Sequence, residues 1–227
     1  MREPLTLAAI GVRLGGHGMI VRGAFHPKRA DDVPGCGQGA EATLVVIGNA
    51  GPAMWRAFAA APGGESRDPM NAWSGAILTA IADETGGRAL FPFTGPPFLP
   101  FMRWAQKAEG LRPSPIQILM HPRFGLWHAY RGALVYGHAL ALDPRPAHAH
   151  PCDTCAGKPC LDACPADVFD GRRADLAACR DHIAGDAGAE CMTGGCLARL
   201  ACPVGTEYRY APDQMGFHMK AFRRAPT

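Results

Sequence analysis

Nine cysteines carry most of the chemistry that this sequence can offer: Cys36, Cys152, Cys155, Cys160, Cys164, Cys179, Cys191, Cys196 and Cys202. Eight of them fall between positions 152 and 202, and the remaining residues hold one. A chain that uses cysteine as a small core hydrophobe scatters it. This chain concentrates it, so the eight form one device. They divide into two runs of four. The first is Cys152-x2-Cys155-x4-Cys160-x3-Cys164-Pro165 and the second is Cys179-x11-Cys191-x4-Cys196-x5-Cys202-Pro203. Both runs end in Cys-Pro.

Close spacing lets a short loop present several thiolates to one centre. Bacterial two-cluster ferredoxins use two such runs, and the fourth cysteine of each run ligates the other cluster. That rule gives one [4Fe-4S] cluster Cys152, Cys155, Cys160 and Cys202, and the other Cys164, Cys179, Cys191 and Cys196. The proline after the fourth cysteine turns the chain away, so that its sulfur reaches the neighbouring cube. Two structural zinc sites also need eight cysteines, but they favour paired Cys-x2-Cys knuckles, and only one such pair occurs here. The looser spacings, x4 and x11, leave room for a [3Fe-4S] site or an altered potential. Disulfides suit an exported protein, whereas thiols stay reduced in the cytosol.

The elements around these residues follow from composition and pattern. The chain has 227 residues, 48% apolar and 19% charged, with a net charge of +3. That is globular composition with enough apolar surface for a sizeable core, not a disordered chain. The 28 glycines and 21 prolines announce many turns and short elements. The longest apolar stretches, Ala42–Ile47 and Ala76–Ala82, are far short of a membrane span. The N-terminus lacks a signal-peptide layout and a twin-arginine pair. The expectation is a cytoplasmic protein with no membrane partner. The basic pairs Arg172-Arg173 and Arg223-Arg224 are too short to suggest nucleic acid. Residues 151–205 carry 5 basic and 8 acidic groups, against 14 and 10 in residues 1–150. Clusters with a net negative charge would make the second segment more acidic still.

Helices are expected over Leu5–Leu14, from Pro52 through Ala60, over Asp68–Thr85 and over Phe98–Glu109. In the third, Asp68 is a candidate N-cap, Pro69 fits the first position and Gly86-Gly87 stops the helix. Strands are expected over Met19–Phe25, Thr43–Ile47, Arg88–Phe93, Ile116–Met120 and Tyr130–Tyr136. Met215–Arg224 reads as an amphipathic helix. Helices and strands mix without strict alternation, so residues 1–145 read as an α+β domain. Residues 143–151 read as a linker. Residues 146–227, poor in large apolar side chains, need a metal scaffold to stay folded.

The ordering resembles that of the cobalamin-dependent epoxyqueuosine reductases and reductive dehalogenases. The resemblance rests on the cysteine layout: four ending in Cys-Pro, then an isolated Cys179, then three ending in Cys-Pro. It rests also on His121-Pro122-Arg123-Phe124-Gly125-Leu126-Trp127, followed by Tyr130-Arg131-Gly132-Ala133-Leu134. It covers residues 115–205. It implies a nitroreductase-like α/β domain that binds a corrinoid, followed by a ferredoxin-like module with two [4Fe-4S] clusters. Arg123, Trp127, Tyr130 and Arg131 are the residues it places against a corrinoid. Only 25 residues follow Cys202, too few for the tRNA-binding region of the first family, so that substrate is not expected. The chain also lacks Asp-x-His-x-x-Gly, the histidine motif of other cobalamin proteins. The implied function is reduction of cob(II)alamin to cob(I)alamin, fed through the clusters by a reduced flavoprotein or ferredoxin. The alternatives are a ferredoxin-type electron carrier with a docking domain, and an FMN-binding first domain.

Several residues are set aside. Cys36 lies alone in a loop. His148 and His150 flank Cys152 and are read as exposed linker residues. Gly35-Cys36-Gly37-Gln38-Gly39-Ala40 matches G-x-G-x-x-A, but it neither follows a strand nor opens a helix, so it is not read as a dinucleotide fingerprint.

Overall fold

The computed structural model describes residues 4–36, 41–62, 66–145 and 147–224. The first half of the chain runs α1 (Leu7–Gly15), β1 (Ile20–Phe25), β2 (Thr43–Ala50), α2 (Ala53–Ala60), α3 (Pro69–Thr85), β3 (Arg88–Leu90) and α4 (Phe101–Glu109). Then come β4 (Arg112–Pro113), β5 (Leu119–Met120) and β6 (His128–Tyr136). The last part is helical: α5 (Pro159–Asp162), α6 (Leu176–Ala184), α7 (Ala189–Gly194), α8 (Leu197–Leu200) and α9 (Pro212–Arg224). The mixture of helix and sheet is that of an α+β protein. No helix among the described residues is long and apolar enough to cross a membrane.

The chain forms two compact units. One comprises Met1–Gly110 and His128–Ala147. The other comprises Leu111–Trp127 and His148–Thr227, so the β4–β5 hairpin belongs with the cysteine-rich segment.

The first unit is built on a four-stranded sheet in the order β1-β2-β6-β3, antiparallel throughout. Its centre is β2, where Thr43–Asn49 are all buried. A strand covered on both faces needs the near-continuous apolar run Leu44-Val45-Val46-Ile47. A bulge between Ile47 and Gly48 re-aims the strand, which continues to Ala50 opposite His128. Gly48 is needed there, since a Cβ would lie 2.1 Å from the Ala129 carbonyl oxygen. Phe101, Trp104 and Ala108 of α4 pack with Phe25, Leu44, Val46, Ala133 and Val135 on one face. On the other face α3 lies against β6, with Leu78 beside Gly132.

Most expected elements appear with shifted ends. Thr6 caps α1 by accepting the Ala9 N–H at 3.1 Å, so that helix starts at Leu7 rather than Leu5. Asp68 stands at the N-cap of α3, but its side chain makes no capping bond. Strand β3 stops at Leu90 before the proline-rich corner. The expected strand Ile116–Met120 is mostly a turn. The Ser114 N–H donates to Ile118 O at 2.8 Å, and the Gln117 N–H donates to Ser114 O at 2.9 Å. Gln117 has φ +65°, which no strand residue adopts, and only Leu119–Met120 pair as strand.

Candidate metal centre

The eight clustered cysteines stand on the short elements of the second unit. Cys152 lies in a helical turn over Pro151–Asp153, and Cys160 lies in α5, which Pro159 opens. Cys155 is between them. Cys164 follows α5, and the Asp167 N–H donates to its carbonyl at 3.1 Å, which turns the chain after Cys164-Pro165. Cys179 is in α6, whose N-cap Asp175 accepts the Ala178 N–H at 2.9 Å. Cys191 is in α7 and Cys196 caps α8. Between these two, Gly195 has φ +93°, and a Cβ there would meet the Met215 sulfur at 2.8 Å. Cys202 follows α8. All nine cysteines are free thiols.

Electrostatic coupling sorts the eight into two sets. Cys152, Cys155, Cys160 and Cys202 influence one another in all six pairs. Cys164, Cys179, Cys191 and Cys196 do the same. The last cysteine of each run thus joins the other run's set, the crossed partition that the ferredoxin rule gives. Burial pushes the Cys152 thiol up to about 11, and Cys202, Cys160 and Cys155 add to the shift. Burial likewise pushes Cys179 up to about 11, with Cys196, Cys164 and Cys191 adding. It raises Cys160, Cys191, Cys196 and Cys202 as well. The cause is shared: thiolates leave water for apolar surroundings and approach other thiolates.

The first set stands in an apolar cluster of Ile116, Met120, Leu126, Cys160, Ala198 and Cys202. Among the described residues, no group of three or more His, Cys, Asp or Glu side chains is drawn tightly enough to hold a single metal ion. Four mutually coupled thiols in apolar surroundings fit the donor set of an iron–sulfur cluster. Loading metal would expel their protons, since only thiolate ligates.

The segment His121–Trp127 braces this unit. The His121 Nδ1 accepts the N–H groups of Arg123 and Phe124, each at 3.0 Å. Gly125 has φ +57°, and a Cβ there would lie 1.9 Å from the Val204 carbonyl oxygen, just past Cys202-Pro203. Arg199 donates from Nε and Nη2 to Leu126 O at 3.1 and 2.5 Å. Its guanidinium lies 4.6 Å from the centroids of both Trp127 and Tyr210.

The four residues that the resemblance placed against a corrinoid are otherwise engaged. The Arg123 Nε donates to the Tyr208 hydroxyl at 2.5 Å. Trp127 is fully buried. Tyr130 donates to Glu109 Oε2 at 2.5 Å, and Arg22 donates to Glu109 Oε1 at 3.0 and 2.9 Å. Burial drives the Tyr130 phenol well above its usual value. Arg131 donates to Asn71 Oδ1 at 2.6 Å and Ser74 Oγ at 3.0 Å in α3. Tyr130 thus points toward α4 and Arg131 toward α3. Arg123 and Trp127 belong to the second unit, and Tyr130 and Arg131 to the first.

Cys36 stands apart in the first unit, packed against its core. Burial raises its thiol, partly offset by Arg88. Four of the six residues of the G-x-G-x-x-A stretch, Gly37–Ala40, lie outside the described residues. His150 departs from the expectation of an exposed linker residue: its side chain is 8% exposed and its Nε2 lies 3.1 Å from Arg112 O. Two residues of the cysteine unit escaped sequence reading. Arg199 shows no spacing signal. Ser114 lies far upstream of Cys152 yet lines the same cavity as Cys152, Cys155, Cys160 and Cys202.

No protein-family model matches the chain, and no curated protein matches it. Among solved structures it is similar to the epoxyqueuosine reductase from Streptococcus thermophilus. The TM-score is 0.52 at 13% identity, over 92% of this chain and 69% of that one. At that identity the likeness shows the fold alone.

Proposed function

We propose that this chain is an iron–sulfur redox protein with two [4Fe-4S] clusters. Cys152, Cys155, Cys160 and Cys202 would hold one, and Cys164, Cys179, Cys191 and Cys196 the other. The observation that carries this reading is the sorting of eight thiols into two mutually coupled sets of four. Two runs of four that each end in Cys-Pro, with only one Cys-x2-Cys pair, suit iron–sulfur clusters better than zinc knuckles. Bound clusters supply one-electron transfer at low potential. The protein's own part is to keep the sulfurs out of water and in register: His121–Trp127 and Arg199 hold the loop around Cys202 in place.

In the finer reading, the sheet unit is a nitroreductase-like domain, the cysteine unit is a ferredoxin-like module, and the whole is a cytoplasmic reductase of cob(II)alamin. A reduced flavoprotein or ferredoxin supplies the electrons. Two features support it: the fold-level likeness to an epoxyqueuosine reductase, and the order of the His121–Leu134 stretch ahead of the cysteine runs. In this reading Arg123, Trp127, Tyr130 and Arg131 are the candidate corrinoid contacts, and in the structure each is engaged with protein neighbours.

The test is titration of anaerobic, cluster-loaded protein with cob(II)alamin. A stoichiometric shift of the visible spectrum, with reduction on adding electrons, supports the finer reading. No shift, with both clusters reducible, leaves an electron carrier. FMN released on denaturation would favour a flavin-binding first domain.

A further inference from the structure

One buried hydroxyl in the cysteine unit is unexplained. Ser114 is 3% exposed, and its Oγ has no hydrogen-bond partner among the described residues. Its backbone is fully used: the N–H donates to Ile118 O, and the carbonyl accepts from the Gln117 N–H. This turn, with Gln117 at φ +65°, fixes where the side chain sits. It closes the β4–β5 hairpin and puts Ser114 in the wall of an otherwise apolar cavity. The other walls include Met120, Leu126, Cys152, Cys155, Cys160 and Cys202.

A buried hydroxyl without a partner costs on the order of 1–3 kcal/mol. An alanine or valine would fill an apolar wall without that penalty. The first thiol set lines the same cavity and offers sulfur acceptors for its proton. We propose that Ser114 donates its hydroxyl hydrogen to a sulfur of the cluster held by Cys152, Cys155, Cys160 and Cys202, and thereby raises that cluster's reduction potential above the value its apolar pocket alone would set. This rests on the cluster reading above. The physical basis is charge. Reduction adds a negative charge to a buried cluster, and a hydrogen bond to its sulfur stabilises the reduced form more than the oxidised one. Ser114 is therefore a tuning residue. Ligation remains with the cysteines, and no cysteine of the second set lines this cavity.

The experiment is an EPR-monitored redox titration of the full, anaerobically loaded chain, with iron and sulfide measured on every sample. S114T keeps the hydroxyl and S114V is its isosteric apolar counterpart, so the pair isolates the hydrogen bond from packing. The expected result has three parts. S114T keeps both wild-type midpoints, S114V shifts one midpoint to a more negative value and leaves the other alone, and both retain full iron. Equal midpoints in S114T and S114V would overturn the proposal, because a serine satisfied by a trapped water, or a merely structural one, predicts that result. A shift of both midpoints would also overturn it. Wild-type protein without iron and sulfide would refute the cluster reading itself, a separate outcome. If S114V fails to load, S114A serves with the same expectation, and an unshifted S114A overturns the proposal.

Discussion

The two units hold themselves together by different means. The first buries a conventional core: Leu44, Val45, Val46 and Ile47 are fully buried in β2, and Trp104 is fully buried in α4. In its polar interior Arg22, Glu109 and Tyr130 are joined by short hydrogen bonds. In the second, α5 and α8 have four residues each and α7 has six. Helices that short are not stable alone. Three of its buried apolar positions are cysteines: Cys160, Cys191 and Cys202. The difference teaches that sheet and side-chain packing define the first unit, while in the second the proposed clusters would supply what short helices and a thin core leave out.

The largest test of this contrast is removal of iron. Under a chelator in anaerobic buffer, amide protection should collapse over residues 176–200 and persist over residues 43–50 and 128–136. Hydrogen exchange read by mass spectrometry checks this, and equal loss in both regions would break the comparison. Next in size is Glu109→Ala. It removes the carboxylate beside an Arg22 side chain that is only 1% exposed, and should cost about 3–5 kcal/mol. Urea unfolding should show the loss in the sheet unit, with cluster content unchanged. Replacing Arg22 and Glu109 together by apolar residues should recover much of it. The two cysteine runs give a third test. Cys202→Ala should abolish the EPR signature of one cluster and Cys164→Ala that of the other. Loss of the same signal in both would refute the crossed sets.

The smallest effect is one of pH. Burial raises the Asp31 carboxyl, but the hydrogen bonds from the Lys107 ammonium and the Lys28 N–H outweigh it and hold the group below its usual value. A depressed folded-state value stabilises above the unfolded pKa and is lost as pH falls through the folded one. Asp31→Asn should therefore remove about 1 kcal/mol or less from the sheet unit at neutral pH. Acid titration of the two proteins should show the gap closing below the ordinary carboxylate range. A gap that widens in acid would contradict the assignment.

The sheet unit was legible in outline because its signals are local. The Leu44–Ile47 run, Pro69 at a helix start and Gly86 in the left-handed conformation at its end each act within a few residues. The misread ends have tertiary causes. β2 runs on through Gly48-Asn49-Ala50 because a bulge lets that stretch pair with β6. The Ile116–Met120 pattern looks like strand, yet Gln117 turns. In the cysteine unit, two Cys-Pro endings and one coordination rule give the division of thiols proposed above. Ser114, Arg199 and the bracing role of Gly125 were not legible. Ser114 shares a cavity wall with Cys152, Arg199 lies against Trp127 and Gly125 lies against Val204, and no spacing in the sequence encodes these placements. Trp127, a candidate ligand contact by type, packs with Arg199 and Tyr210, neighbours that its sequence position does not announce.

The central claim is that eight thiols hold two iron–sulfur clusters. Its most direct test is metal and acid-labile sulfide analysis of the anaerobically purified chain. The account predicts about eight iron and eight sulfide per chain. One or two zinc ions with no sulfide would contradict it.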